Sequence, residues 1–209
     1  MDPWPSDPVI YELNTAAWLH DVGERGGAPV SLAGVSAQEW DRVTPRGVDA
    51  VWLMGLWERS PAGRQLALDT PAQVASFHAA LPDVTDADVI GSAYCIRRYE
   101  VDSLFGGRSG LAAARAALAE RGVRLIVDFV PNHVAPDHPW LAEHPEYFVQ
   151  GSHDDLVSDP ASFLEVGGAV IARGRDPYFP PWPDVAQLNA FAPGLRRAAI
   201  DTLDDLTKQ

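Results

Sequence analysis

Asp128, Asn132 and His133 fall within six residues at the end of an apolar run, Val-Arg-Leu-Ile-Val-Asp-Phe-Val-Pro-Asn-His-Val, spanning 123–134. A carboxylate accepts hydrogen bonds, an amide both donates and accepts, and an imidazole can change charge near neutral pH. Such a set could hold a ligand's hydroxyls, bind a cation or move a proton. Singly, each residue has a plainer role. Asp128 could form an ion pair or cap loop amides, because a carboxylate at the inner end of a buried strand needs partners. Asn132 could turn the chain, and His133 could be a satisfied structural histidine. Their spacing, which gathers three kinds of polar group on one rim, singles them out.

The elements around them must supply that rim. A run rich in β-branched residues reads as a buried strand of a parallel sheet, and Pro131 ends its ladder. In α/β folds the carboxyl ends of parallel strands are where ligands bind. Two earlier strands are expected. Val9 to Leu13 is the first, followed by Asn14, Thr15 and a loop carrying Trp18 and His20. Ser36 and Glu39 form a capping-box pair, predicting a helix from Ser36 to Arg46 ended by Gly47. Val48 to Leu53 is the second strand, and a right-handed crossover makes the two parallel neighbours.

The connection from Trp57 to Gly106, about fifty residues, is far longer than a plain link. It holds a helix around Pro71 to Ala80, a polar stretch from Asp83 to Asp88, and a compact motif from Gly91 to Asp102. An alanine-rich helix, Leu111 to Arg121, is closed by Gly122 and leads into the third strand. From Ala135 to about Phe191 the chain is rich in Pro, Trp, Asp and Gly and reads as irregular, with a hairpin strand within Phe163 to Ile171. Pro193 opens a last helix, with Leu195, Ala199, Thr202, Leu203 and Leu206 expected on its buried face. Three strands, each followed by a helix, define an α/β chain with a parallel sheet.

Composition narrows the ligand. With 46% hydrophobic and 22% charged residues in 209, this is the balance of a globular protein. The net charge of −13 and the pI near 4.7 argue against nucleic acid and anionic membranes, which need clustered Lys and Arg. A neutral sugar or a cation suits that field better than a phosphate. Cys95 is the only cysteine, so neither an internal disulfide nor a thiolate metal cluster can form. Met1 to Pro8 shows no signal-peptide pattern and no stretch is long enough to cross a bilayer, so a cytoplasmic location is expected. Seven tryptophans mostly fill cores, although aromatics near loops also make platforms for sugar rings.

Asp128-Phe129-Val130-Pro131-Asn132-His133 resembles the first conserved region of the alpha-amylase family of glycoside hydrolases, Asp-x-Val-x-Asn-His. Gly91-Ser92-Ala93-Tyr94, leading through Arg98-Tyr99 to Val101-Asp102-Ser103-Leu104-Phe105-Gly106, resembles the loop after that family's second strand. Val9-Ile10-Tyr11-Glu12-Leu13-Asn14 resembles its first strand. The resemblance implies an incomplete (β/α)8 TIM-type barrel, its first three βα units with long loops after strands 2 and 3. Residues 1–209 would then be the N-terminal portion of a catalytic barrel, with about 135–190 a loop excursion. It also implies roles: His133 bonding sugar hydroxyls, Tyr94 stacking beneath the sugar, Asp128 pairing with an arginine just before the nucleophile, and Asn132 serving a structural calcium.

A retaining glycosidase needs a nucleophilic carboxylate and a carboxylic acid about 5–5.5 Å apart. In the family these lie on the fourth and fifth strands, and a third carboxylate follows the seventh. The last helix here resembles the one before the fourth strand, so none of those roles falls on a residue of this chain. The resemblance places the nucleophile and the general acid beyond Gln209. Two departures stand out: Arg98-Tyr99 where the family often has Asp-Tyr, and Gln187, within Val185-Ala186-Gln187-Leu188-Asn189, where an aspartate is expected for calcium. Asp184 is nearby and could substitute. The expected activity is hydrolysis or transfer at α-glucosidic bonds of an α-glucan or small α-glucoside. The alternatives are a non-catalytic sugar-binding homologue and a metal-dependent α/β enzyme using Asp128 and His133, with His138, His144 and His153 in reserve.

Overall fold

The computed structural model describes residues 3–208. Gln209, beyond which the resemblance places the nucleophile and the general acid, lies outside the described residues, as do Met1 and Asp2. In chain order the elements are β1 (Ile10–Asn14), α1 (Thr15–Gly26), α2 (Ala37–Val43), β2 (Ala50–Met54), β3 (Trp57–Arg59), α3 (Pro61–Asp69), α4 (Pro71–Ala80), β4 (Ile96–Val101) and α5 (Gly107–Glu120). There follow β5 (Arg124–Val127), β6 (His133–Val134), α6 (Trp140–Glu143), α7 (His153–Ser158), β7 (Phe163–Val166), β8 (Ala169–Ala172), β9 (Ala186–Gln187) and α8 (Pro193–Lys208). The chain divides into two units. One comprises residues up to 57 together with 100–129, and the other comprises 58–99 together with 130–208.

The first unit is built on the predicted parallel sheet, in the order β1-β2-β5. Leu13 pairs with Leu53, and Leu53 with Val127, so one row of aliphatic side chains crosses all three strands. The central strand is the most buried, and on the edge strand β1 the side chains of Ile10 and Tyr11 remain exposed. The segment expected as a loop after β1 is instead the helix α1. Asn14 caps it by accepting the Ala17 N–H at 3.3 Å, and Trp18, Leu19 and Val22 share a buried face. Glycines 23 and 26 in the sequence mask that periodicity. Trp18 meets Trp40 of α2 edge-on, ring centres 4.9 Å apart. At α2, Ser36 caps Glu39 N–H as expected, but Glu39 turns its carboxylate to Arg25 at 2.8 Å, and the helix ends at Val43, short of the predicted Arg46, because Pro45 keeps Thr44 out of helical backbone. The reciprocal capping box occurs elsewhere, between Ser152 and Asp155 of α7.

The second unit corrects the expectation of an irregular excursion. Segment 135–191 contributes Leu141, Phe148, Ile171, Ala186 and Leu188 to a core that Val134 of β6 and Leu195 of α8 complete. β7 and β8 form a hairpin about Gly167 and Gly168, whose φ of +59° and +84° suit a tight turn that side chains with a Cβ would strain. β6 pairs antiparallel with β9, and isolated bridges such as Phe148 to Leu188 stitch the remaining segments. The helix predicted over Pro71 to Ala80 is α4, and a second, α3, precedes it. The expected buried face of α8 is only partly realised. Leu195 is buried and Ala199, Thr202 and Leu206 are half-buried, whereas Leu203 is 41% exposed. Among the described residues no helix is long and apolar enough to cross a membrane.

Candidate functional site

Asp128 lies one residue past β5 in the first unit, 6% exposed. Its Oδ1 accepts the Trp52 indole N–H at 2.9 Å and its Oδ2 accepts the Gly55 N–H at 2.6 Å. Its own carbonyl accepts the Trp57 indole N–H at 2.9 Å. The sequence thus puts Trp52 and the turn after β2 where the buried carboxylate needs donors, and Trp57 where its backbone carbonyl does. Of the two plain roles open to Asp128, this is the cap to loop amides, extended by an indole. Trp52 could be foreseen as a strand residue but not as this donor, because its partner is 76 positions away.

The other residues singled out by the sequence sit in the second unit, and there Tyr94, Asn132 and His133 are brought together. His133 opens β6 opposite Gln187. Its Nδ1 lies 3.1 Å from Asn132 Nδ2, and its ring also hydrogen-bonds the backbone of Tyr94. Tyr94 is 39% exposed as a residue. Burial lowers the His133 pKa below its ordinary value, partly opposed by the Tyr94 backbone bond and the charge of Asp184. The imidazole is therefore neutral near pH 7, a hydrogen-bonding group and not a cation.

Trp182, which sequence reasoning did not assign to the site, meets the His133 ring edge-on at 5.5 Å. It packs on Cys95, Ala135 and Val185, and its backbone N–H donates to the Gly174 carbonyl at 2.8 Å. Gly174 must be a glycine, since a Cβ there would stand 2.6 Å from Val185 and 3.3 Å from His133 Cβ. The signal in the sequence is the Pro-Pro-Trp-Pro run, 180–183, which fixes the ring on a stiff segment. Nearby, Glu58 binds Arg97 at 2.5 Å and Arg98 at 3.4 Å, so Arg98 serves an ion-pair network instead of the loop role of an aspartate.

Asn132, the residue expected to serve calcium, has its side-chain oxygen engaged within the chain. That ion takes six to eight oxygen ligands, yet the Asn132 Oδ1 faces an N–H donor, Gln187 Nε2, at 3.1 Å. The same Nε2 donates to Asn132 O at 2.8 Å and Leu188 O at 3.3 Å. The charge of Asp184, considered as a substitute, acts on His133 and Arg173. Among the described residues no three His, Cys, Asp or Glu side chains gather where a metal ion could be held. Of the reserve histidines, His138 accepts the Trp140 N–H at 3.1 Å and His144 stacks on Tyr147.

A parallel β/α sheet carrying Asp-x-Val-x-Asn-His just past its third strand defines a class of barrel glycosidases. The comparisons agree. The family model for alpha amylase, catalytic domain, matches residues 31–161, and the chain belongs to that family. It is 28% identical over 141 residues to a trehalose synthase/amylase of Mycobacterium tuberculosis, covering 59% of this chain and 23% of that protein. It is also 42% identical over 178 residues to an amino acid transporter heavy chain, SLC3A1, of Mus musculus, covering 80% of this chain and 21% of that protein. Among solved structures, a trehalulose synthase variant matches with TM-score 0.66 at 20% identity, covering 99% of this chain and 34% of that one. An alpha-amylase from Lactobacillus plantarum matches with TM-score 0.60 at 23% identity, covering 94% of this chain and 35% of that one. The chain thus spans about a third of those folds and about a fifth of the two curated relatives.

Proposed function

We propose that these residues form the sugar-positioning part of an alpha-amylase-type glycoside hydrolase or transglycosidase acting on α-glucosidic bonds. The observation that carries this reading is the cluster in the second unit: an exposed Tyr94 beside a neutral His133 that Asn132 and the Tyr94 backbone hold in place. An aromatic face stacks on a pyranose ring, and an oriented imidazole bonds its hydroxyls without presenting a charge that water would have to leave. Asp128 holds the strand end from which the motif departs, its carboxylate taken by Trp52 and Gly55. On this reading the nucleophile and the general acid come from beyond Gln209, since the family's first three βα units carry neither. A retaining mechanism then follows once two carboxylates stand about 5–5.5 Å apart.

The test is titration of maltotriose and trehalose into the purified protein, followed by heat release or tryptophan fluorescence. Tyr94→Ala should weaken binding roughly fivefold, the loss of about 1 kcal/mol of ring contact. No saturable binding to either sugar would overturn the proposal. A second reading, binding without turnover, draws on the relative named as a transporter heavy chain. Saturable binding with no products after prolonged incubation of the whole protein would favour it over hydrolysis or transfer.

A further inference from the structure

We propose that Gln187 replaces a cation at the corner between β6 and β9 and, through Asn132, fixes the His133 imidazole with its proton on Nε2. The argument starts from backbone groups, whose polarity is not open to choice. Arg175 N–H points at Gln187 Oε1 at 3.3 Å, so that atom is an acceptor. Asn132 O at 2.8 Å and Leu188 O at 3.3 Å lie around the other end of the amide, which must then be the NH2 group. With both ends anchored, the Gln187 amide has one orientation.

The polarity then propagates. Gln187 Nε2 donates to the side-chain oxygen of Asn132 at 3.1 Å, so the Asn132 amide turns its own NH2 the other way, to His133 Nδ1 at 3.1 Å. An amide NH2 can only donate, so Nδ1 accepts and the neutral ring carries its hydrogen on Nε2. The neutral ring then has a single N–H, on Nε2, to offer a backbone carbonyl or, in its place, a sugar hydroxyl. A carboxylate at 187 would behave in the opposite way. It offers no donor to the two backbone carbonyls, and it attracts the Asn132 NH2, turning Oδ1 to the ring and drawing the proton to Nδ1. Gln187 is thus a positioning residue for His133. Only its use in sugar recognition rests on the function proposed above.

Nitrogen-15 NMR of the purified protein reads the tautomer directly. The expected spectrum has a pyridine-type Nδ1 and a pyrrole-type Nε2 for His133, and Gln187→Glu reverses or mixes them. Gln187→Met, which keeps the volume and loses the donor, leaves both tautomers populated and covers the case in which the glutamate variant fails to fold. Protonated Nδ1 in the unaltered protein, or an unchanged pattern in a folded Gln187→Glu variant, would overturn the inference. Melting temperatures in EDTA and in millimolar calcium chloride are expected to coincide. A calcium-dependent rise, or one bound calcium per chain, would equally overturn it. A protein that binds neither maltotriose nor trehalose yet shows the Nε2–H form would sink the functional reading and leave this one standing.

Discussion

Replacing Asp128 by asparagine changes one atom, and the structure sets what that should cost. Both carboxylate oxygens face donors, the Trp52 indole N–H and the Gly55 backbone N–H, in a site 6% exposed. Asparagine keeps one oxygen and turns an NH2 toward the other donor. One charge-assisted bond is lost, and a buried N–H is left facing another, so the penalty is about 2–4 kcal/mol. For a chain of this length that corresponds to a fall in melting temperature of roughly 5–15 °C. Trp52→Phe alone removes one donor and should cost about 1–2 kcal/mol. In the double variant the asparagine oxygen can serve Gly55 while its NH2 faces a phenyl ring, with no opposed donors. The two costs should therefore fall short of additive by about 1 kcal/mol or more, which urea unfolding followed by circular dichroism can resolve. Additivity within about 0.5 kcal/mol, or an asparagine variant as stable as the parent, would refute the view that this carboxylate is held as a double acceptor.

Two further outcomes follow from the second unit. Burial, reinforced by Arg98 and Arg97 and opposed by Asp137, lowers the His138 pKa to about 4. A folded-state value below the unfolded one of about 6.5 means that the neutral form is favoured by folding. The contribution is fully present above pH 6.5 and is lost as pH falls toward 4, about 2–3 kcal/mol between pH 7.5 and 4.5. Denaturant midpoints at those two pH values should show it, and His138→Gln should flatten the difference. On α8, Leu195→Ala should cost about 2–4 kcal/mol because the side chain is buried in the core. Ile200→Glu, at a position 64% exposed, should change stability by no more than about 0.5 kcal/mol in the same unfolding assay.

The parallel sheet was legible because its signal is local. The expected runs lie within two residues of β1 and β2 at each end, while β5 ends at Val127, before the stop expected at Pro131, and the right-handed crossover rule orders the three. Helix α1 was missed because its apolar residues Trp18, Leu19 and Val22 are interleaved with glycines and charges, and its stabilising contact, Trp40, is 22 positions away. The fold of 135–191 was illegible for a related reason. Its strands are two to four residues long, too short for periodicity to show, and they hold together through bridges such as Gln150 to Ile171. The amphipathic pattern of α8 was read correctly from spacing, yet spacing cannot say that a partner exists for every turn. At the site, the residue types were legible from the motif, and the hydrogen-bond polarity that gives them a function was not. Gln187 stood out only as a missing aspartate, and its role emerges from three carbonyl and amide groups that the ladder brings to it.

The stretch between β5 and β6 explains why the motif has the composition it has. Here the chain has left one ladder and not yet joined the next, so each backbone group needs a partner that no strand supplies. Asp128 O takes the Trp57 indole. Val130 is served on both sides by one hydroxyl, since Tyr99 OH accepts its N–H at 2.9 Å and donates to its carbonyl at 3.1 Å. Pro131 has no N–H to satisfy. Asn132 O takes Leu188 N–H at 3.0 Å and the Gln187 amide. The accounting gives a definite role to Tyr99, the half of the Arg98-Tyr99 pair that keeps the family's residue, because one phenol does for Val130 what a neighbouring strand would otherwise do. Arg98, the half that departs, is drawn to Glu58 and makes no demand on this stretch. A substitution at 98 can thus be absorbed by charge pairing, whereas loss of the hydroxyl at 99 would strand two backbone groups immediately before the residues that hold His133.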